Sequence, residues 1–318
     1  PNNGAHVFAA HPSAMRTQLI VFLVRLLGRL PVPLLRAIGW LLGALAALLP
    51  NRERHVAEVN LQLCFPTLPA ASRRRLLRRS LREAAVTLCE MPSVWARGIA
   101  PWRRHMTRPG EVADRVLPLL ERGKGLIVAA PHLGNWELGL HYFDGLAPVT
   151  ALYRPPRLRA LEPILLRGRE RDGARLAPTS ARGIRMLYQA LQRGEIVVIL
   201  PDQQPPRAGT AGVFAPFFGQ PALTMTLLSR LAARSGAPVV FGCAVRDRHG
   251  RSRPHLVLGD DDIAASDPVR AAAALNRGVQ RCVEHYPEQY QWTYRRFRLQ
   301  PGDAANPYRL ARQRRAAA

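Results

Sequence analysis

Residues 125–137 read GLIVAAPHLGNWE, and they place His132 five positions before Glu137. An imidazole can take a proton from a hydroxyl near neutral pH, and a carboxylate beside it can fix its tautomer and stabilise the imidazolium. Five residues turn roughly 140° around a helix, so the two side chains cannot share a helical face. They meet only if His132 lies on a turn and Glu137 in the first turn of the helix that follows. The same spacing also suits a capping histidine and a carboxylate facing the helix macrodipole. Two further polar groups stand at the ends of apolar runs: Tyr153 and Arg154 after PVTAL, and Asp202 and Gln203 after EIVVILP. Arg154 and Arg169 could fork onto phosphate oxygens; in so arginine-rich a chain, plain surface charge is the readier account of them. Asp202 could orient an active-site residue or hold its own loop by an Asx turn.

These groups need a scaffold that gathers strand ends. The run 126–130 is apolar throughout, as a strand buried on both faces would be. From 112 to 297 strand and helix patterns alternate, with strands expected at 125–130, 148–153, 174–177, 195–200, 238–246 and 254–259. Helices are expected at 112–122, 136–145, 158–171, 181–193, 222–235 and 268–285. This argues an α/β fold with a mostly parallel central sheet flanked by helices, its chemistry just past the carboxyl ends of the strands.

Ahead of that region, 17–30 and 34–49 are strongly apolar and separated by Pro31 and Pro33. Neither reaches about 20 uncharged residues, so an interfacial pair of helices on an anionic leaflet is expected over 15–50. A buried helix hairpin is the competing account. Arg25, Arg29 and Arg36 would fall within roughly 40° of one another on a continuous helix, a basic stripe on an apolar cylinder. A helix at 52–63 and another at 71–91, with Ser72 as a possible cap, carry an arginine-rich face. Residues 1–14 lack periodicity and read as an expression-vector leader before a start at Met15; His6 and His11 are given no role. Residues 51–303 form the α/β domain, and 304–318 are expected to be a basic tail without order.

The 318 residues are 47% hydrophobic, enough for a large core, and carry a net charge of +24. Lys124 is the only lysine. Such a charge points to an anionic partner: nucleic acid, membrane or a phosphorylated substrate. No recognised nucleic-acid-binding motif accompanies it, and the apolar N-terminal pair is hard to place in a soluble DNA binder. The four cysteines show no zinc-like spacing and read as small buried hydrophobes. A metal site on His132 and Glu137 lacks a third ligand, His141 being the only nearby candidate.

Taken in order, the motifs resemble the late acyltransferases of lipid A biosynthesis, a branch of the lysophospholipid acyltransferase superfamily, over roughly residues 19–303. His132 and Glu137 match the H-x4-D/E motif in its glutamate form. Residues 152–155 (LYRP), Gly168-Arg169, residues 201–203 (PDQ), residues 213–219 (VFAPFFG) and residues 287–297 resemble the blocks that follow. The resemblance implies acyl transfer from acyl-acyl carrier protein, or acyl-CoA, to a hydroxyl of a lipid A precursor at the cytoplasmic face of a bacterial inner membrane. It implies no bound cofactor and no metal. The partners would be acyl carrier protein, the glycolipid and the anionic membrane, with no nucleic acid. His132, Glu137, Arg169 and Asp202 become the catalytic candidates; Asn135, Tyr153, Arg154, Gln203, Phe217 and Phe218 become the substrate-binding ones. In that reading His132 is the base, Glu137 its partner, and Arg169 or the amides near Gly134 and Asn135 hold the oxyanion. An apolar groove using Phe143, Phe214, Phe217 and Phe218 would take the acyl chain. Acylation of another glycolipid or phospholipid is the alternative within the superfamily.

Overall fold

The computed structural model describes residues 12–317, apart from 108–109, 157, 207, 210 and 303. The leader expected at 1–14, with His6 and His11, lies outside the described residues up to residue 11. The helices are α1 (Pro12–Arg29), α2 (Val32–Leu48), α3 (Arg52–Cys64), α4 (Ala70–Arg97), α5 (Gly110–Leu120), α6 (Trp136–Gly139), α7 (Glu162–Arg171), α8 (Ala181–Gln192), α9 (Leu227–Ser235), α10 (Pro268–His285) and α11 (Pro307–Ala317). The strands are β1 (Leu126–Ala129), β2 (Val149–Tyr153), β3 (Arg175–Pro178), β4 (Ile196–Ile199), β5 (Gly212–Phe217), β6 (Gln220–Met225), β7 (Val239–Arg246) and β8 (Ser252–Leu258).

Six strands form one sheet in the order β3-β2-β4-β1-β7-β8, parallel except for β8, which runs antiparallel to β7. The alternation of the strands divides the interior. Ile127, Ala129, Val197, Ile199 and Phe241 face α8, α9 and α10, with Leu187, Leu191, Leu231 and Leu275 packed on them. Leu126, Val128, Ile196, Val198 and Val240 face the other way, onto Val112 and Val116 of α5, Leu138 of α6 and Val94 of α4. Burying one such aliphatic side chain contributes about 1.5–3 kcal/mol, which makes both faces of β1 and β4 strongly determined. The four cysteines are buried and free.

The sequence misplaced three elements. Residues 220–225 form a strand, β6, rather than the start of a helix: Phe218 and Gly219 take positive φ, 49° and 73°, and turn β5 back on itself as a two-residue hairpin. The helix expected over 136–145 holds only from Trp136 to Gly139, then tightens into a 3₁₀ turn whose Tyr142 hydroxyl donates to Ser252 O at 2.6 Å. The tail is helical over α11, because Asn306 caps it and buried Tyr308 donates to Asn60 Oδ1 at 2.6 Å.

The N-terminal layer rests on α4, a helix 28 residues long that continues through Pro92. It begins at Ala70, so Ser72 lies inside its first turn rather than at the cap. Gly39 and Gly43 let α2 lie backbone to backbone on it: a Cβ on either would stand 2.5 or 2.4 Å from the Cα of Val86 or Arg82. The opposite side of α1 and α2 leaves Phe22, Leu26, Trp40, Leu41, Leu45 and Leu48 exposed. The basic stripe does not form, since the chain breaks at Pro31 and Arg36 turns inward onto Glu90 at 2.6 Å. Among the described residues no single helix is long and apolar enough to cross a membrane. One bent pair, Val32–Leu48 with Arg52–Cys64 at 74°, passes that test by length and composition.

Candidate active site

Strands β1 and β4 are hydrogen-bonded neighbours, with Ala129 opposite Ile199. Three residues beyond each stand His132 and Asp202, so parallel register delivers them side by side. The Asp202 carboxylate holds the histidine twice: Oδ2 accepts from the His132 backbone N–H at 2.9 Å, and Oδ1 lies 2.7 Å from Nδ1. On the other side of the ring, Gln203 Nε2 lies 3.1 Å from His132 Nε2 and donates to Gln291 Oε1 at 3.3 Å. An amide N–H facing Nε2 and a carboxylate facing Nδ1 together select one tautomer, with the proton on Nδ1 and the lone pair on Nε2. Trp136 packs edge-on against the ring, centroids 4.9 Å apart.

Asp202 is nearly fully buried. Burial pushes its carboxyl up, but the His132 charge and hydrogen bonds outweigh that and leave it below the usual carboxylate range. Tyr290 lies beside it, and burial first, then the Asp202 charge, hold the phenol well above its ordinary value.

The turn between His132 and α6 is fixed backbone by backbone. Gly134 has φ +65°, and a Cβ there would stand 2.1 Å from Ala244 O; glycine alone fits. Its N–H donates to Gln289 O at 3.0 Å, and the Asn135 N–H donates to Ala244 O at 2.9 Å. Both amides expected to serve an oxyanion are thus already used. Asn135 is itself buried, with Nδ2 donating to Glu90 Oε2 at 2.9 Å, so its side chain braces the turn and is not open to a substrate.

Glu137 does not partner His132. Both its oxygens are taken by Arg169, whose Nε and Nη2 donate at 2.9 and 2.6 Å. Burial raises the Glu137 carboxyl, but the guanidinium charge and its bonds carry it below the usual range; Arg169 is correspondingly raised despite its burial. The carboxylate engages two of the five N–H donors of the Arg169 guanidinium. The pair walls a cavity. On one side is a small, partly open and mostly apolar pocket of about 30 Å³, lined by Val128, Trp136, Phe143, Leu152 and Val198. On the other is a cleft of about 770 Å³ between Trp95, Ile99, Leu140, Leu146 and Arg171, within the usual size of a ligand site. Glu137, Leu140 and Arg169 line both.

The remaining candidates scatter. The Tyr153 hydroxyl donates to Glu162 Oε1 at 2.8 Å, and burial together with that carboxylate pushes it up to about 12. Arg154 is exposed, one residue further on. Phe143 does line the pocket, but Phe217 and Phe218 do not: Phe217 packs on Phe297 and Tyr290, Phe218 on Phe65 and Trp292. The hairpin turn directs both rings into the core. His141 lies 3.0 Å from Asp144 and 3.6 Å from Asp172, and among the described residues no three His, Cys, Asp or Glu side chains are grouped to hold a metal ion. Sequence reasoning missed Gln291 and Tyr290, although both sit in the segment 287–297 already singled out. It also missed Glu90, whose one signal was a carboxylate on the apolar side of an arginine-rich helix.

Fold and site together define an α/β protein with an Asp–His pair at adjacent strand ends, and a cleft of ligand size lined by Glu137 and Arg169 rather than by that pair. Residues 6–299 match the family of bacterial lipid A biosynthesis acyltransferases, and the chain belongs to that family. It is 29% identical over 303 residues to the lipid A biosynthesis palmitoleoyltransferase of Escherichia coli (strain K12), covering 94% of this chain and 96% of that one. With the lauroyltransferase of the same organism it shares 27% over 304 residues, again 94% and 96% of the two chains. With the myristoyltransferase it shares 24% over 280 residues, 84% and 82%.

Proposed function

We propose that the protein transfers a fatty acyl chain from an acyl thioester, acyl-acyl carrier protein or acyl-CoA, to a hydroxyl of a lipid A precursor. The observation that carries this reading is the His132 ring, held on Nδ1 by Asp202 and presenting its Nε2 lone pair toward Gln203. An acceptor hydroxyl that displaces the Gln203 amide gives its proton to Nε2 as its oxygen attacks the thioester carbonyl. Asp202 stabilises the imidazolium while the tetrahedral intermediate lasts. The carbon–sulfur bond then breaks, and the thiolate leaves with the proton that His132 holds. Gln203 is the side-chain donor nearest that reaction and takes the oxyanion. No acyl-enzyme forms, and no metal or bound cofactor takes part. The acyl chain lies in the cleft walled by Glu137 and Arg169.

The exposed apolar side of α1 and α2 rests on the cytoplasmic leaflet of the inner membrane, which brings the glycolipid to the site. Exposed arginines, Arg154 and the α4 residues Arg74, Arg75, Arg78 and Arg79 among them, meet its phosphates and the anionic lipids.

Mass spectrometry of lipid A from a deletion strain and its complement tests the reading. Loss of one secondary acyl chain, restored by the wild-type gene and not by His132→Ala, is the expected result. Unchanged lipid A with an altered phospholipid or other glycolipid would replace the acceptor. Restoration by a stably folded His132→Ala protein would end the base assignment.

A further inference from the structure

Glu90 lies in the C-terminal third of α4 with no exposed surface, and its two oxygens take donors from three other parts of the chain. Arg36 Nε, on α2, is 2.6 Å from Oε1; Arg246 Nη1, at the end of β7, is 2.8 Å from Oε2; Asn135 Nδ2 is 2.9 Å from that same oxygen. Arg246 is also held by Glu83 Oε2 and O and by Thr87 Oγ1, at 2.8, 3.1 and 2.8 Å. Two guanidiniums therefore meet two carboxylates, and the cluster is balanced in charge without Asn135. The Asn135 bond is a separate connection, running from this balanced cluster to the turn that begins at His132.

We propose that Glu90 is a positioning residue for His132. Through Asn135 it fixes the turn that aims the imidazole, and through Arg36 it makes that fix depend on α2 being seated on α4. This rests on the reading of His132 as the base. The seat runs the length of α2, which lies on α4 backbone to backbone at Gly39 and Gly43 with Val32, Leu35 and Ala47 buried, while its far side is exposed and apolar. A shift of α2 withdraws Arg36 from Oε1 and leaves Glu90 held only by the partners on its other oxygen. Small displacements of a catalytic group cost rate steeply, about a hundredfold for 1 Å.

The test compares full-length variants, with folding checked by circular dichroism and by the thermal midpoint. Asn135→Ala and Arg36→Met should each lower kcat about tenfold or more, leave KM for the acceptor within about twofold, and alter the pH dependence of kcat. Asn135→Asp sets a second carboxylate against Glu90 and should fall further. Lower thermal midpoints with wild-type kcat and an unchanged pH profile would overturn the proposal, leaving Glu90 a structural brace. So would an inert Arg36→Met, for the α2 arm. His132→Ala run alongside separates the two ideas: activity there ends the base reading, whereas an inactive His132→Ala beside fully active Asn135 and Arg36 variants ends this one.

Discussion

Replacing Asp202 by Asn changes one charge and very little volume. In the wild type one carboxylate accepts two hydrogen bonds from the same residue, from the backbone N–H and from the ring Nδ1. An asparagine has one acceptor and one donor. If its oxygen keeps the backbone N–H, its amide faces Nδ1 and drives the ring proton to Nε2, where the lone pair is needed. If it flips, the amide meets the backbone N–H, donor against donor. Either way the imidazolium formed during transfer loses a buried counter-charge about 4 Å from it. At an effective dielectric near 20 that interaction is about 4 kcal/mol, an upper figure from Coulomb's law alone. A charge-assisted hydrogen bond measured by deletion is about 1.5–3 kcal/mol. Taking about 3 kcal/mol gives a loss of about 10²-fold in kcat. The tautomer penalty extends this toward the about 10⁴-fold seen when the aspartate of a serine-protease triad becomes asparagine. Release of free thiol from an acyl-thioester donor, followed continuously at saturating acceptor, gives kcat directly. KM should change little, because Asp202 is buried behind the ring. An Asp202→Asn enzyme within threefold of wild type, with the same pH profile, would refute the assignment of Asp202 as the group that orients His132.

Glu137→Gln leaves the buried Arg169 guanidinium without its counter-charge, so stability should fall by about 3 kcal/mol. That is about 5 °C in the thermal midpoint of a chain this size, and KM for the acyl donor should rise as the cleft wall loosens. Gly134→Ala forces a positive φ on a residue whose Cβ overlaps Ala244 O; little folded protein is expected, as judged by solubility and near-ultraviolet circular dichroism. Asp202 and Glu137 both have folded-state values below their unfolded ones. The unfolded chain therefore binds more protons as acid is added, and their stabilisation, full above the ordinary carboxylate range, drains away as pH falls through that range toward the folded values. Urea midpoints measured from pH 7 to pH 3 should decline, and less steeply for Asp202→Asn.

Where sequence reasoning succeeded, it rested on local periodicity. Apolar runs at 126–130 and 195–200 could only be strands buried on two faces, and they proved to be β1 and β4 at the centre of the sheet. The strand ends were expected to gather and Asp202 was expected to be able to orient an active-site residue, as it does for His132, but which residue it would hold depended on strand order. His132 and Asp202 are 70 positions apart, and nothing local says that their strands are neighbours in register. His132 and Glu137 are close in sequence, and that proximity suggested a pairing the turn does not make. The hairpin at 212–225 was hidden because Phe218 adopts a backbone conformation no pattern assigns to phenylalanine. The disposition of Phe217 and Phe218 followed from that same turn.

The two carboxylates of this site divide the work that one motif suggests. Asp202 has the ring and Glu137 has the guanidinium, and each pair is satisfied without the other. A carboxylate held bidentately by a buried arginine is a fixed wall, unable to follow a proton. One that accepts from both the backbone and the ring of the same histidine is placed, in the proposed mechanism, to stay with that histidine through the reaction. If H-x4-E marks the site in sequence, its glutamate does so by walling the cleft together with Arg169, while in the proposed mechanism the charge that matters to proton transfer comes from the neighbouring strand. Asp202→Asn and Glu137→Gln should therefore differ in kind, the first moving kcat and its pH dependence, the second moving stability and donor KM.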